Sequence, residues 1–248
     1  MIALVTGASQ GIGAGCALAL SRAGHRVALV SRDEGALRGV ADSLPGEALV
    51  VPADMLDPGA VDSAFARVEE EWSPVEILVV NAGASMSAPL VRTSDEDWQR
   101  MLDLNLTAPF RCLRRALPSM TSAGFGRVVV LASVAGKVGS ARIAAYTASK
   151  HGVLGLVRTA AMEVAKAGVT VNAVCPGYVD TPMTDESVAN IAAGTGRSAE
   201  DAREILANMQ PIGRLVTGEE VAAAVMLCVD NAAINGQGIN VDGGSVQS

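Results

Sequence analysis

Short apolar runs alternate with longer stretches of helical spacing along the chain. The apolar runs are rich in Val, Leu and Ile and fall at 2–7, 26–31, 48–53, 76–82, 127–133, 169–177 and 238–244. Small and apolar residues recur at helical spacing in 13–24, 94–120 and 144–168. Apolar strands separated by helices are typical of a parallel sheet that is covered on both faces. The pattern therefore predicts an α/β fold: a single doubly wound domain over 1–248 with seven parallel strands and helices on both faces.

One segment, 182–210, has no clear place in this sheet, because it is polar and interrupted by glycine. It lies between a late strand and the last helix. In open α/β sheets that position is close to the carboxyl ends of the strands, where ligands bind. We therefore expect 182–210 to form a lid over the substrate.

Composition and charge exclude several classes of function. The net charge of −7 and the lack of a basic run argue against a nucleic-acid partner. No apolar stretch approaches the roughly 18 residues of a membrane span. Since Met1 leads directly into the first predicted strand, we expect no signal peptide. The four cysteines, at positions 16, 112, 175 and 228, are too widely spaced for a metal cluster. We expect free thiols in a reducing cytoplasm.

The first junction between a strand and a helix reads TGASQGIG, from Thr6 to Gly13. Glycines here let backbone N–H groups at the start of the helix approach a pyrophosphate, where the helix dipole also favours an anion. A Rossmann-type dinucleotide site is therefore predicted. Its expected contacts in this turn are Gly7, Ser9, Gln10, Gly11, Ile12 and Gly13.

The end of the second strand, VSRDE, bears on the choice between NADP(H) and NAD(H). Ser31 and Arg32 offer a hydroxyl and a guanidinium where such folds meet the adenosine ribose, which favours the 2′-phosphate of NADP(H). NAD(H) stays possible, because Asp33 would accept the ribose hydroxyl if it took that position instead.

Several separated motifs together resemble the short-chain dehydrogenase/reductase family over essentially the full chain. They are the TGxxxGxG turn at 6–13, the acidic Asp54 after the third strand, VNAG at 80–83 in place of NNAG, and PGYVDTP at 176–182. The resemblance implies further cofactor contacts at Asp54, Met55, Asn81, Ala82, Gly83, Tyr146, Lys150, Pro176, Gly177, Val179 and Thr181. Gln10 departs from the pattern, because NADP-preferring members often carry a basic residue there.

Tyr146 and Lys150 lie four residues apart, which would place a phenol and an ammonium on one helix face. With Asn105 and Ser133 they match the family's active-site tetrad in order and spacing. The resemblance implies that Tyr146 is the general acid, while Lys150 favours its phenolate and binds the nicotinamide ribose. Ser133 would bind the substrate oxygen, and Asn105 would hold a water linked to Lys150. No metal is expected at such a site.

Within the family, the block at 146–183 and the C-terminal tail most resemble 3-oxoacyl-thioester reductases and polyketide ketoreductases. The implied reaction reduces the ketone of a small-molecule or carrier-bound 3-oxoacyl thioester to the secondary alcohol, with NADP(H) favoured. The resemblance also implies a homotetramer or homodimer in which helices around 98–121 and 146–166 pack across a two-fold axis.

Three other functions stay open. One is a dehydrogenase of a cyclic or secondary alcohol, including a hydroxy-alicyclic acyl-CoA, a sugar or a steroid, which only a substrate panel separates. Another is a nucleotide-sensing regulator without chemistry, a role that does not require Tyr146 and Lys150. The third is a structural component of an oligomer, which oligomerisation alone does not distinguish from an enzyme.

Overall fold

The computed structural model describes residues 1–247, in which seven parallel strands form one sheet in the order β3-β2-β1-β4-β5-β6-β7. The strands are β1 (Ile2–Thr6), β2 (Arg26–Ser31), β3 (Ala48–Pro52), β4 (Ile77–Val80), β5 (Gly126–Leu131), β6 (Val169–Pro176) and β7 (Gly238–Val241). The α-helices are α1 (Gly11–Arg22), α2 (Glu34–Ser43), α3 (Pro58–Glu71), α4 (Asp95–Leu102), α5 (Ala108–Ala123), α6 (Ala144–Val164), α7 (Pro182–Thr195), α8 (Ala199–Asn208) and α9 (Gly218–Asp230).

Each strand buries side chains on both faces of the sheet. In β1, Ile2 and Leu4 pack with residues of α3, α5 and α6, whereas Ala3 and Val5 pack with residues of α1, α2 and α9. Both faces are therefore apolar, which explains why the strands read as continuous apolar runs instead of alternating ones. The predicted doubly wound sheet is confirmed.

The order of the strands reverses between β1 and β4, and this is where open α/β sheets form their ligand crevice. The two carboxyl ends are tied together by Thr6. Its hydroxyl oxygen accepts hydrogen bonds from the backbone N–H of Asn81 at 2.9 Å and of Ala82 at 3.0 Å. The floor of the crevice is thus a fixed junction of two strands.

The chain is helical over the predicted stretch 94–120, but the helix is not regular throughout. It begins as expected, with the Ser94 hydroxyl accepting from the Asp97 N–H at 3.1 Å, but Asp103–Thr107 forms a π-helical segment between α4 and α5. Pro109 has no N–H to donate to the carbonyl of Asn105 four residues earlier, which disfavours a regular α-helix there. The predicted helical stretch is therefore confirmed, with a π-helical segment inside it.

The 182–210 segment is mostly helical. α7 and α8 enclose a small core of their own, made of Val188, Ala202, Leu206 and Leu215. Within residues 1–247, no helix is long and apolar enough to cross a membrane.

Candidate active site

The turn between β1 and α1 forms a tight glycine cradle. Gly7 adopts a positive φ of 64°, and a Cβ on Gly13 would overlap the Gly7 carbonyl oxygen. The Asn81 side chain donates to the carbonyls of Thr6 at 3.1 Å and Gly7 at 3.0 Å, so the end of β4 holds the turn in place. Glycine is therefore required at both positions for the turn to close.

A cavity of about 760 Å³ opens above this turn, within the range of cofactor sites. The predicted contacts that line it are Gly7, Ser9, Gln10, Gly11, Ile12, Ser31, Arg32, Asp54, Met55, Asn81, Ala82, Gly83 and Thr181. Those that do not are Gly13, Tyr146, Lys150, Pro176, Gly177 and Val179. An open cleft lined by a glycine turn, polar strand ends and a surface arginine fits a dinucleotide.

Other lining residues were not indicated by the motifs. They include Ala36, Leu56, Arg100, Leu104 and Met183. Arg100 and Leu104 carried a usable signal, because they are spaced four apart on the predicted helix that leads to Asn105. The other residues carried no such signal, because only the fold of the chain brings them to the cavity.

Three residues of the PGYVDTP element are packed inside the protein. Pro176 is buried at the end of β6, and Val179 is 4% exposed. A Cβ on Gly177 would overlap the side-chain oxygen of Gln210 and lie 3.1 Å from Cα of Asp242. This part of the element supports the wall of the site from behind, while Thr181 reaches the cavity.

At the adenosine end, the three residues of the SRD sequence differ in what they contact. The Asp33 carboxylate caps α2 by accepting from the Ala36 N–H at 2.9 Å. Arg32 is exposed and, like Ser31 and Asp33, lines the cavity. The carboxylate is thus engaged by the helix, and the guanidinium provides the positive charge at this end of the cleft.

Ser133, Tyr146 and Lys150 meet at the carboxyl ends of β5 and β6. Tyr146 lies in the first turn of α6, and Nζ of Lys150 is 5.7 Å from the centre of its ring. The same ammonium donates to the Leu131 carbonyl at 2.8 Å. Ser133 precedes a 3₁₀ turn at Val134–Gly136 and caps it, with its hydroxyl oxygen accepting from the Ala135 N–H at 3.1 Å.

Gly136, which the motifs did not indicate, sets the distance between this turn and α6. A Cβ on Gly136 would lie 2.6 Å from the Lys150 carbonyl oxygen. That is closer than any side chain allows, so only glycine lets the Ser133 turn rest directly against the helix that carries Tyr146 and Lys150.

Burial dominates the protonation of both helix side chains. It raises the pKa of Tyr146, as do the Tyr178 phenol and the Cys175 thiol, while a side-chain hydrogen bond from Ser133 lowers it. Burial also lowers the pKa of Lys150 to about 8. The expected stabilisation of the phenolate by Lys150 is not the largest effect here, because both groups are removed from water.

Asn105 lies in the π-helical segment and is 1% exposed. Its amide pairs with the backbone of Ala84, donating to the carbonyl at 3.0 Å and accepting from the N–H at 3.2 Å. A Cβ on Gly83 would lie 2.8 Å from its oxygen. The side chain therefore fixes the loop after β4, and its predicted water-holding role stays a prediction.

The fold and this site define an α/β protein with a dinucleotide cleft and a half-buried tyrosine one helical turn from a buried lysine. The family model described as short chain dehydrogenase matches residues 1–192. The chain belongs to this family of oxidoreductases.

Curated relatives and a solved structure extend the likeness over nearly the full chain. A 3-oxoacyl-[acyl-carrier-protein] reductase MabA of Mycobacterium tuberculosis is 41% identical over 97% of this chain and 91% of its own. A D-beta-hydroxybutyrate dehydrogenase of Rhizobium meliloti is 37% identical over 98% and 97%, respectively. The crystal structure of an actinorhodin polyketide ketoreductase with NADPH superposes with a TM-score of 0.95 at 37% identity, covering 98% of this chain and 96% of that one.

Proposed function

We propose that the protein is an NADPH-dependent reductase that converts a 3-oxoacyl thioester, carried by coenzyme A or an acyl carrier protein, to the 3-hydroxyacyl thioester. The observation that carries this proposal is the group of Ser133, Tyr146 and Lys150 at the carboxyl edge of the sheet, next to the glycine-lined cavity. The likeness to the 3-oxoacyl reductase and to the ketoreductase with NADPH supports it.

The residues of the cavity suit NADPH along its length. The glycine cradle would hold the pyrophosphate, Asn81 to Gly83 would meet the adenosine ribose, and Asp54 with Met55 would face the adenine. Ser31 and Arg32 would bind the 2′-phosphate, since the Asp33 carboxylate is engaged as a helix cap. When bound, the reduced nicotinamide would supply the hydrogen and two electrons that reduce the ketone.

Tyr146 would donate its proton to the carbonyl oxygen. Its raised pKa keeps the phenol protonated at neutral pH, which is the form that an acid requires. Ser133, whose hydroxyl is hydrogen-bonded to Tyr146, would turn its hydrogen to the substrate oxygen where negative charge develops.

Lys150 would position both the cofactor and the proton donor. One of its N–H groups is fixed by the Leu131 carbonyl, which leaves two for the nicotinamide ribose. The ammonium also lies beside the Tyr146 ring, where it would stabilise the phenolate left after proton transfer.

A second candidate function is the oxidation of a 3-hydroxy acid, a secondary alcohol. The likeness to D-beta-hydroxybutyrate dehydrogenase favours it. The same tyrosine would then act as the base, because the reaction is the reverse of ketone reduction.

Initial rates of oxidation of the reduced cofactor separate these functions. Acetoacetyl-CoA and acetoacetate would each be offered with NADPH and with NADH. We expect turnover of the thioester with NADPH preferred. Turnover of the free acid alone would favour the second function, and no turnover of either compound despite measured cofactor binding would contradict both.

We further propose a cytoplasmic homotetramer or homodimer. Phe110 on α5 and Met162 on α6 are 43% and 83% exposed, as expected for helix faces that pack against another copy. The four buried cysteines support a reducing compartment. Light scattering would test the assembly, since a monomer at all concentrations contradicts it.

A further inference from the structure

The start of α7 forms one wall of the cofactor cavity. Thr181, Pro182 and Met183 all line that cavity. A Cβ on Gly11 would lie 3.3 Å from the methyl carbon of Thr181, so this wall rests on the glycine cradle itself. The segment that the sequence predicts as a lid therefore begins against the turn that would hold the pyrophosphate.

The residue before α7 does not cap this helix. Ser94, Ser198 and Thr217 each accept a hydrogen bond from the first turn of the helix that they precede, namely α4, α8 and α9. Thr181 makes no such bond in the described part of the chain, and its hydroxyl donates to the Val179 carbonyl at 3.3 Å. The position of the start of α7 thus depends on contacts other than a cap.

Arg203, in the middle of α8, supplies two such contacts. Its guanidinium forms ion pairs with the carboxylates of Asp180 and Asp185. Nη1 donates to Asp185 at 2.9 Å, and Nη2 donates to Asp180. Asp180 stands directly before Thr181, and Asp185 lies in the first turn of α7. One guanidinium therefore holds the chain on both sides of the residues that line the cavity.

Both ion pairs are open to water. The side chains of Arg203, Asp180 and Asp185 are 38%, 59% and 63% exposed. Ion pairs at such positions contribute little to the free energy of global unfolding, so overall stability does not explain a guanidinium shared by two carboxylates. They have a larger relative effect on a local opening, because the free energy of such an opening is only a part of the global one.

We propose that Arg203 is a positioning residue that holds the start of α7 against the cofactor cavity and thereby limits the rate at which the cofactor is released. The inference rests on the proposed function, in which this cavity binds NADPH. When the two ion pairs separate, the wall made by Thr181 and Met183 is free to move away from Gly11, and the cavity opens. Because the charges are exposed, salt should weaken this hold.

Arg203→Met tests the proposal, since it keeps much of the apolar stem and removes the charge. We expect NADPH to be released about 3- to 10-fold faster at low ionic strength, as follows from the loss of two exposed ion pairs. Stopped-flow fluorescence of the reduced cofactor would measure the rate. In about 1 M salt, where charges are screened beyond about 3 Å, the variant and the unaltered protein should release NADPH at the same rate.

Arg67→Met is the matched control, because Arg67 is also exposed and pairs with Glu71 at 3.0 Å, but on α3. It should leave the release rate unchanged at each salt concentration. Asp185→Asn removes one of the two pairs and should give part of the acceleration. In combination with Arg203→Met it should add nothing, because its partner is already gone.

Two results would overturn the inference. One is equal release from Arg203→Met and the unaltered protein at low salt. The other is an acceleration that persists in about 1 M salt, since a general loosening of α7 and α8 would behave in that way. Release that depends on Arg203 and on salt, in a protein that reduces no 3-oxoacyl thioester, would contradict the proposed substrate and leave this inference standing.

Discussion

Burial, more than neighbouring charge, sets the protonation of the two side chains on α6. The pKa of Lys150 is lowered to about 8, so its ammonium is present below that pH and is lost above it. Tyr146 has a raised pKa and keeps its proton through the same window. The first change in kcat/KM as the pH is raised should therefore reflect the loss of the proton from Lys150.

We accordingly expect kcat/KM for ketone reduction to be level on the acid side of about 8 and to fall above it. Cofactor affinity should fall over the same range, because the charged amine is the proposed ribose ligand. Rates and dissociation constants measured across neutral and alkaline pH provide the check. A level profile up to 10.5, the ordinary value for lysine, would contradict the effect of burial.

Arg32 decides the choice of cofactor in our proposal. Arg32→Ala should weaken NADPH binding about 10- to 100-fold, the usual effect of one charge-assisted phosphate contact, and leave NADH nearly unchanged. Arg38→Ala is the control, because Arg38 is exposed on α2 and pairs with Glu34. Titration calorimetry with both cofactors would measure it, and equal weakening of the two would refute the phosphate contact.

The sequence left the roles of Ser31, Arg32 and Asp33 open, and the structure indicates why. Which residue faces the ribose depends on where α2 begins. Asp33 is its cap, a position that aspartate favours, but the same carboxylate is equally suited to a ribose. The folded backbone is needed to show that the Asp33 carboxylate caps α2.

Among the elements, the contact between the Ser133 turn and α6 is the most sensitive to a small change. Gly136→Ala would place a methyl group 2.6 Å from the Lys150 carbonyl oxygen and push the turn away from Tyr146. Displacement of a catalytic group by about 1 Å can cost about 10²-fold in rate, and we expect a loss of about 10- to 100-fold in kcat.

The same variant should bind cofactor nearly as well as the unaltered protein, because the glycine cradle is built from other strands. Gly139→Ala is the control, since a Cβ there meets nothing within 4 Å. Steady-state rates and cofactor titrations of both variants are the measurement. Equal rates in the two would mean that the turn tolerates the shift.

Local patterns predicted the seven strands and the helices α1, α4, α5 and α6, because apolar runs and helix caps depend on neighbouring residues. They missed the π-helical segment at Asp103–Thr107, where Pro109 lacks the N–H of a regular α-helix. They also missed the pairing of Asn105 with Ala84, which lie 21 residues apart. Contacts of that kind exist only once β4 and α4 are packed together.

At the scale of the whole molecule, the carboxyl edge of the sheet forms the candidate site, and the amino edge contributes to stability. The cradle, the cavity and the Ser133 turn all follow the carboxyl ends of strands, as expected for an open α/β sheet. The motifs located this edge correctly because each stands directly after an apolar run. They did not distinguish residues that face the cavity, such as Thr181, from those packed behind it, such as Val179.

The amino edge carries a buried arginine that no motif indicated. Arg127, near the start of β5, is 8% exposed and stacks on Phe125. Its guanidinium donates to the carbonyls of Val229 at 3.2 Å, at the end of α9, and of Gly168 at 3.1 Å, after α6. One side chain thereby donates hydrogen bonds to carbonyls that follow or end two helices on opposite faces of the sheet.

Arg127→Met should therefore lower the free energy of unfolding by about 2–4 kcal/mol, since the buried carbonyl of Val229 and the partly buried hydrogen bond to Gly168 lose their donor. Cofactor affinity should stay unchanged, because the cavity lies at the other edge. Arg22→Met, at the exposed end of α1, is the control and should change stability by less than about 0.5 kcal/mol. Urea unfolding and cofactor titration measure the two quantities. If affinity fell together with stability, the two edges would be coupled and this division of duties would be wrong.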